Sequence, residues 1–128
     1  MRRLWNHLVS IHSIVSRKPR ILVGDFNIIA NLSESYPTLQ GVSNDMKEFI
    51  DTMIKLSLFD HVYAGPILTW SNHQPEGFIV RKLDRALVND NWFTEFANST
   101  VEFLPSEVSD HSPVLIQMQQ VRESSTVF

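Results

Sequence analysis

The stretch Arg20-Ile21-Leu22-Val23-Gly24-Asp25-Phe26-Asn27 joins a short apolar run directly to a polar one. Residues 20–23 are β-branched or apolar at nearly every position, which is typical of a buried strand. Residues 24–27 then end this strand in a polar patch. Because a strand that is apolar on both sides prefers cover on both faces, the run predicts a sheet that needs a layer on each side.

Helical patterns flank this strand. One apolar set is spaced by four, three and four residues and consists of Leu4, Leu8, Ile11 and Val15. This spacing predicts an amphipathic helix over residues 2–15. A second apolar set consists of Met46, Phe49, Ile50 and Met53. It predicts a helix that Ser43 or Asn44 caps, while residues 30–43 between the two patterns predict a long surface loop.

The second half of the chain is rich in predicted strands. Residues 67–71 and 78–88 are separated by turn formers and predict a β-hairpin. A short capped helix is predicted at 89–96, and further strands at 100–104 and 113–118. Within 78–88, alternation places Asp84 on one face and Arg85 on the other. A carboxylate on a face of small and apolar residues is either solvated or buried with a partner.

Together these elements predict an α/β (α+β) fold in which helices cover one face of one mixed sheet. Residues 1–118 are expected to form the domain and residues 119–128 a polar tail. The other sheet face would be apolar and uncovered. Because soluble monomers tolerate only small exposed apolar patches, we expect self-association through this face.

Composition and charge restrict the class of protein. The 128 residues suit one domain, and eleven basic against fourteen acidic residues give a net charge of −3. Any phosphate partner must therefore be bound locally and not by bulk positive charge. The absence of cysteine excludes disulfides and thiolate zinc sites. The sequence shows no membrane-spanning run and no signal peptide, so we expect an intracellular protein, with the nucleus as one compartment, and no membrane partner.

Three polar clusters lie at ends of predicted strands, at residues 24–27, 83–85 and 109–111. Loops at one rim of a sheet can direct side chains from distant parts of the chain to one point. Carboxylates with Asn and His suit Mg²⁺ or Mn²⁺, and phosphoryl transfer is the natural reaction for such a set. Singly, each cluster has a plainer interpretation: Asp25 and Asn27 form an Asx turn, and His111 is a surface residue beside Asp110.

Four motifs, in this order and at these separations, resemble the carboxy-terminal half of the endonuclease/exonuclease/phosphatase superfamily. They are Gly24-Asp25-Phe26-Asn27, Thr69-Trp70-Ser71, Leu83-Asp84-Arg85 and Ser109-Asp110-His111-Ser112-Pro113. That superfamily includes deoxyribonuclease I and the abasic-site endonucleases, and the likeness is strongest to the endonuclease domain of plant non-LTR (LINE-type) retrotransposons. It covers about residues 17–116 and implies half of a four-layer α/β sandwich.

The resemblance implies a role for each polar residue. Asp25 would orient or deprotonate the attacking water, and Asn27 would hold the scissile phosphate. Asp84 would pair with His111, which would stabilise charge on the phosphoryl oxygens. Asp110 would bind the metal or order its water ligands.

The resemblance also implies contacts with DNA. Arg81, Lys82 and Arg85 match its DNA-facing side, and we expect Arg81 and Arg85 to bind the phosphate backbone. Trp70 would stack on a base or brace the hairpin, and its size favours packing.

The superfamily's metal-binding glutamate has no counterpart among the glutamates of this sequence. The resemblance therefore implies a site for Mg²⁺ (or Mn²⁺) that is incomplete in this chain. We predict a metal-dependent DNA endonuclease half-domain that is weak or inactive alone. Two alternatives stay open: a non-catalytic remnant or interaction module, and a related phosphatase or RNA-cleaving hydrolase.

Overall fold

Three α-helices and nine short strands make up the part of the chain that the structure, a computed structural model, describes: residues 2–107 and 109–118. The predicted polar tail at 119–128 lies outside the described residues. The helices are α1 (Arg2–Val15), α2 (Asn44–Lys55) and α3 (Asp90–Glu95), with a 3-10 helix at Leu32–Glu34. The strands are β1 (Ile21–Asp25), β2 (Ser35–Tyr36), β3 (Phe59–Asp60), β4 (Tyr63–Ala64), β5 (Trp70–Ser71), β6 (Val80–Arg81), β7 (Asp84–Val88), β8 (Thr100–Phe103) and β9 (Val114–Gln117).

Within the described residues these strands form three three-stranded sheets, in the orders β1-β7-β3, β2-β6-β5 and β4-β8-β9. Only the β4–β8 pair among them is parallel. The predicted α/β class is confirmed, but the single mixed sheet is divided. The reason lies at Lys82 and Leu83, where the predicted strand 78–88 is interrupted. Its first part pairs with β5 as the predicted hairpin, and its second part pairs with β1.

The pairing of β1 with β7 orders the central sheet. Asp25 lies opposite Asp84, Gly24 opposite Arg85, and Leu22 opposite Leu87. Because directly opposed residues share a face and neighbours alternate, the two aspartates project from one face. Arg85 projects from the other.

The helices cover the face that carries Leu87. Their shared core includes Trp5 of α1 and Phe49 of α2, whose rings lie 5.3 Å apart, and Phe26, 5.8 Å from Phe49. On α1 the buried face is rotated from the predicted one, since Trp5 is buried and Leu4 is exposed. The helix therefore turns its largest aromatic inward. Ser43 caps α2 by accepting a hydrogen bond from the Met46 N–H at 3.1 Å.

On the opposite face of β7, Ala86 packs against Val101 and Phe103 of β8. All of β7 is consequently buried. Exposed apolar side chains of this sheet lie on its outer strands, with Val23 on β1 and Phe59 on β3. The sequence predicts an uncovered apolar face, but in this sheet the exposed apolar side chains lie at the two edge strands and not along the whole face. Self-association stays a prediction.

No helix in the described ranges is long and apolar enough to span a lipid bilayer.

Candidate active site

Two carboxylates meet where β1 ends and β7 begins. Asp25 is the last residue of β1, and Asp84 is the first residue of β7. Since the strands are antiparallel and in register at this pair, the two side chains lie at the same edge of the sheet. A third segment joins them through an isolated β-bridge between Trp70 and His111. The structure therefore brings together three segments that are far apart in the sequence.

The His111 imidazole lies between the two carboxylates. Its Nδ1 is 2.7 Å from Asp84 Oδ2, and its Nε2 is 3.5 Å from Asp25 Oδ2. An ionised carboxylate only accepts, so the Nδ1–H group donates to Asp84. The side chains of Asp84, His111 and Asp25 are 13%, 32% and 43% exposed. A ligand in solvent can thus reach His111 and Asp25, while the more buried Asp84 holds the imidazole through its hydrogen bond to Nδ1.

The electrostatics of this group favour a charged imidazole. Partial burial by itself lowers the pKa of His111, but the hydrogen bond to Asp84 and the negative charges of Asp84, Asp25 and Asp110 outweigh it. The pKa of His111 is therefore raised above its ordinary value of 6.5. A cationic imidazole fixed in one orientation is suited to bind an anion or to donate a proton to one.

Asn27 is held beside this group by a local turn. Its backbone N–H donates to Asp25 Oδ1 at 2.7 Å, and its φ of 55° lies in the left-handed region, which Asn tolerates better than most residues. The Asx turn of the plainer interpretation is therefore present. The same turn also fixes Asp25 beside His111, so the structural and functional interpretations are compatible.

Asp110 directly precedes His111 in the sequence, but its carboxylate lies near His73 and not between Asp25 and Asp84. Its Oδ1 is 3.6 Å from Nε2 of His73, and both side chains are exposed. His73 is a site neighbour that sequence analysis missed, because no metal-ligand spacing pointed to it. The loop of the β5–β6 hairpin brings it there, with its N–H donating to Ser71 Oγ at 3.0 Å.

A cation could be shared by one group of side chains within the described ranges. The ligand atoms of Asp25, Asp84 and His111 lie within 4.8 Å of one another, and Asp110 is not a member of this group. Asp84 already accepts a hydrogen bond from His111 Nδ1, and the raised pKa of His111 disfavours the neutral imidazole that a metal would need. The donor set therefore fits a well-hydrated divalent ion held chiefly through Asp25, in the way that Mg²⁺ keeps several waters.

A cleft of about 290 Å³ opens next to His111. Asn27, Trp70, Arg81 and His111 are among its lining residues. Contacts of Trp70 and Arg81 with a substrate stay a prediction. Trp70 also packs against a buried apolar cluster. Both interpretations of this tryptophan are therefore compatible with its position.

Arg85 does not reach this cleft. Its side chain is fully buried and pairs with Glu34 and with Asp60, the latter at 2.8 Å. It lies on the helix side of the sheet, 5.5 Å from the Phe49 ring centroid. The predicted contact between Arg85 and a substrate phosphate is therefore wrong for this structure. Strand alternation explains it, since the residue after Asp84 must point to the opposite face.

Glu34 is the second residue that sequence analysis missed. It forms a capping box with Asn31 at the start of the 3-10 helix, and the Asn-x-x-Glu pattern is the local signal for such a cap. Its carboxylate thus serves the helix cap and the buried arginine together.

Lys82 is buried as well. Its Nζ lies 4.0 Å from the Tyr63 ring centroid and 3.4 Å from the backbone oxygen of Asp84. Burial lowers the pKa of Lys82, and the charge of Arg85 lowers it further. Arg81 is therefore the member of this basic trio that lines the cleft.

A sequence model described as the endonuclease/exonuclease/phosphatase family matches residues 2–111. The match contains all three segments of the site and begins earlier than the predicted resemblance at residue 17, so that it includes α1. None of the curated proteins compared with the chain matches it. With most of its length matched and with Asp25, Asp84 and His111 converging in space, the chain belongs to the endonuclease/exonuclease/phosphatase family.

Proposed function

We propose that this protein hydrolyses phosphodiester bonds at the Asp25–Asp84–His111 group with the help of a divalent cation. Family membership indicates a hydrolase of phosphate esters. The observation that carries the proposal is the position of His111, bound to Asp84 at 2.7 Å on one side and accessible to solvent on the other. This arrangement fixes an imidazole with a raised pKa at the wall of a cleft.

Each side chain has a distinct task in this reaction. His111, with its raised pKa, donates a hydrogen bond to a phosphoryl oxygen as negative charge develops there. Asp84 holds the ring and stabilises its charge. Asp25, the most exposed of the three, orients the attacking water or accepts its proton. Asn27, at the cleft wall, holds the phosphate.

The cation in this proposal is Mg²⁺ or Mn²⁺. When bound, it neutralises phosphate charge and lowers the pKa of its water ligands. Asp25 is the carboxylate that would hold it, and Asp110 would order its outer waters from the position next to His73. In the described parts of the chain, no glutamate joins the metal-capable group. Asp25 would thus hold the ion without the glutamate that the resemblance implies, and a Mg²⁺ site with so few protein ligands is weakened severely by the loss of one carboxylate. We therefore propose that the affinity for the ion is low and that the 128-residue chain is weakly active alone.

The proposed substrate is DNA, handled by an endonuclease of the non-LTR retrotransposon type. Arg81 and Trp70 flank the cleft and supply a guanidinium for a backbone phosphate and an indole for a base. Since the net charge is −3, DNA would be bound at this cleft and not by the overall field of the protein. The retrotransposon relationship rests on the sequence motifs.

Nicking of supercoiled plasmid tests the proposal. We expect slow nicking that requires Mg²⁺ or Mn²⁺ and falls about a hundredfold or more, to background, in Asp25→Asn and His111→Ala. Asp51→Asn, an exposed carboxylate on α2, is the matched control and should keep the wild-type rate. Parallel assays on RNA and on a phosphomonoester identify the substrate class. Nicking that survives both site substitutions contradicts the proposal, as does the absence of hydrolysis of all three substrates.

A further inference from the structure

Thr69 is a buried residue with an unusual set of partners. Its relative exposure is 1%, and its hydroxyl oxygen accepts hydrogen bonds from two consecutive backbone N–H groups. The Leu83 N–H lies at 3.1 Å and the Asp84 N–H at 3.0 Å. One side-chain atom thus holds the backbone of the residue that binds His111.

The fold explains why these two N–H groups need a side-chain acceptor. The chain leaves the β5–β6 hairpin after Arg81 and joins the β1–β7 pair at Asp84, so the residues between belong to neither sheet. Strand β3 pairs with β7 only at Val88 and Leu87 and supplies no acceptor at Asp84. Buried backbone N–H groups are almost always hydrogen-bonded. Thr69 Oγ1 supplies the bonds that a neighbouring strand would otherwise make.

The backbone of the same residue holds the segment of His111. Thr69 O accepts from the Ser112 N–H at 2.8 Å, and the next residue, Trp70, forms the β-bridge with His111. Thr69 therefore contacts the Asp84 segment through its side chain and the His111 segment through its main chain. These are the two segments that the 2.7 Å Asp84–His111 hydrogen bond joins.

We infer that Thr69 is a positioning residue whose hydroxyl sets the Asp84–His111 hydrogen bond. Thr69 is not among the residues that line the cleft, and it acts through the backbone of Asp84. The inference rests on the proposed function only for its effect on catalysis. The geometric part can be measured in an inactive protein.

Thr69→Val and Thr69→Ser separate the hydroxyl from the rest of the side chain. Valine keeps the shape and removes the acceptor, whereas serine keeps the acceptor and removes a methyl group. Thr94→Val is the matched control, because its hydroxyl bonds to Asp90 O on the remote helix α3. Thermal unfolding of each variant establishes that it is folded.

Two NMR readouts decide the case without any metal or substrate. The first is the proton resonance of His111 Nδ1–H, which a hydrogen bond to a carboxylate shifts strongly downfield. The second is protection of the Leu83 and Asp84 amides from hydrogen exchange. In Thr69→Val we expect the resonance to move upfield or disappear and amide protection to fall by about tenfold or more. Thr69→Ser should keep both signals, and Thr94→Val should match the wild type.

A folded Thr69→Val protein with an unchanged His111 resonance and unchanged protection overturns the inference. If Thr69→Val does not fold, the folded Thr69→Ser protein decides: retained signals support the role of the hydroxyl, and lost signals overturn it. Plasmid nicking by the same variants is measured separately. If the wild type does not nick DNA, the proposed function fails. Altered NMR signals in Thr69→Val would still support the positioning role of Thr69.

Discussion

Replacement of Asp84 by Asn removes the charge that holds the His111 imidazole and leaves the size of the side chain almost unchanged. In the wild type, Asp84 Oδ2 accepts from His111 Nδ1 at 2.7 Å, and this contact helps to raise the pKa of His111 in the folded state. A raised pKa means that the stability from protonated His111 is fully present below the ordinary value of 6.5. It is lost as the pH rises through the folded pKa.

The size of the effect follows from the geometry. A hydrogen bond between charged groups contributes about 1.5–3 kcal/mol net. Because the His111 side chain is 32% exposed, solvent screening reduces this to about 1–2 kcal/mol. Asp84→Asn should therefore lower the free energy of unfolding by about 1–2 kcal/mol more in mild acid than in mild alkali. For a domain of this size, that corresponds to roughly 4–8 °C in melting temperature.

Urea unfolding of the wild type, Asp84→Asn and the control Asp51→Asn, near pH 5.5 and near pH 9, measures this difference. The wild type should lose stability relative to Asp84→Asn as the pH rises. An equal free-energy difference between the two proteins at both pH values, or a difference that grows in alkali, would show that Asp84 does not stabilise a protonated His111.

Three further predictions follow from named contacts. Glu34→Gln removes one of the two carboxylates that pair with the buried guanidinium of Arg85 and leaves Asp60 as its charged partner. It should lower the free energy of unfolding, measured by urea denaturation, by about 1.5–3 kcal/mol; a loss under about 0.5 kcal/mol would contradict the buried pair. Arg81→Gln should weaken DNA binding evenly across sequences and reduce the slope of log K against log salt by about one; an unchanged slope in fluorescence-anisotropy titrations would remove Arg81 from the interface. Val23 lies exposed on the outer strand β1, and such strands pair readily with other chains, so analytical ultracentrifugation should show oligomers of the wild type and monomers of Val23→Lys. A monomeric wild type at all concentrations would end the prediction of self-association.

The convergence of the site residues was accessible to sequence analysis because local signals report strand ends. The apolar run before Asp25 and the alternation around Asp84 locate both carboxylates at the edge of a sheet. They also imply that an aspartate among apolar residues needs a partner, and His111 is that partner in the structure. The caps of α2 and α3 were likewise predictable, since Ser43 and Asn89 are short polar residues that accept from the first turn.

The errors concern contacts that local patterns do not encode. The partners of Arg85 lie 51 and 25 residues away in the sequence. Strand alternation therefore predicts which face of the sheet its side chain occupies, but not its burial against two carboxylates. At the break between β6 and β7, the backbone N–H groups of Leu83 and Asp84 donate to the hydroxyl of Thr69, which lies just before β5 and more than ten residues away in the sequence. Trp5 replaces Leu4 in the core because neighbouring helix positions differ by about 100°, and tertiary packing selects between them.

A crystal structure of the chain grown with Mn²⁺ would examine the proposed metal site and the Asp84–His111 contact in one measurement. We expect anomalous scattering from Mn²⁺ beside the Asp25 carboxylate, with His111 Nδ1 within hydrogen-bond distance of Asp84. Manganese bound elsewhere, or an imidazole of His111 turned away from Asp84, would contradict the account.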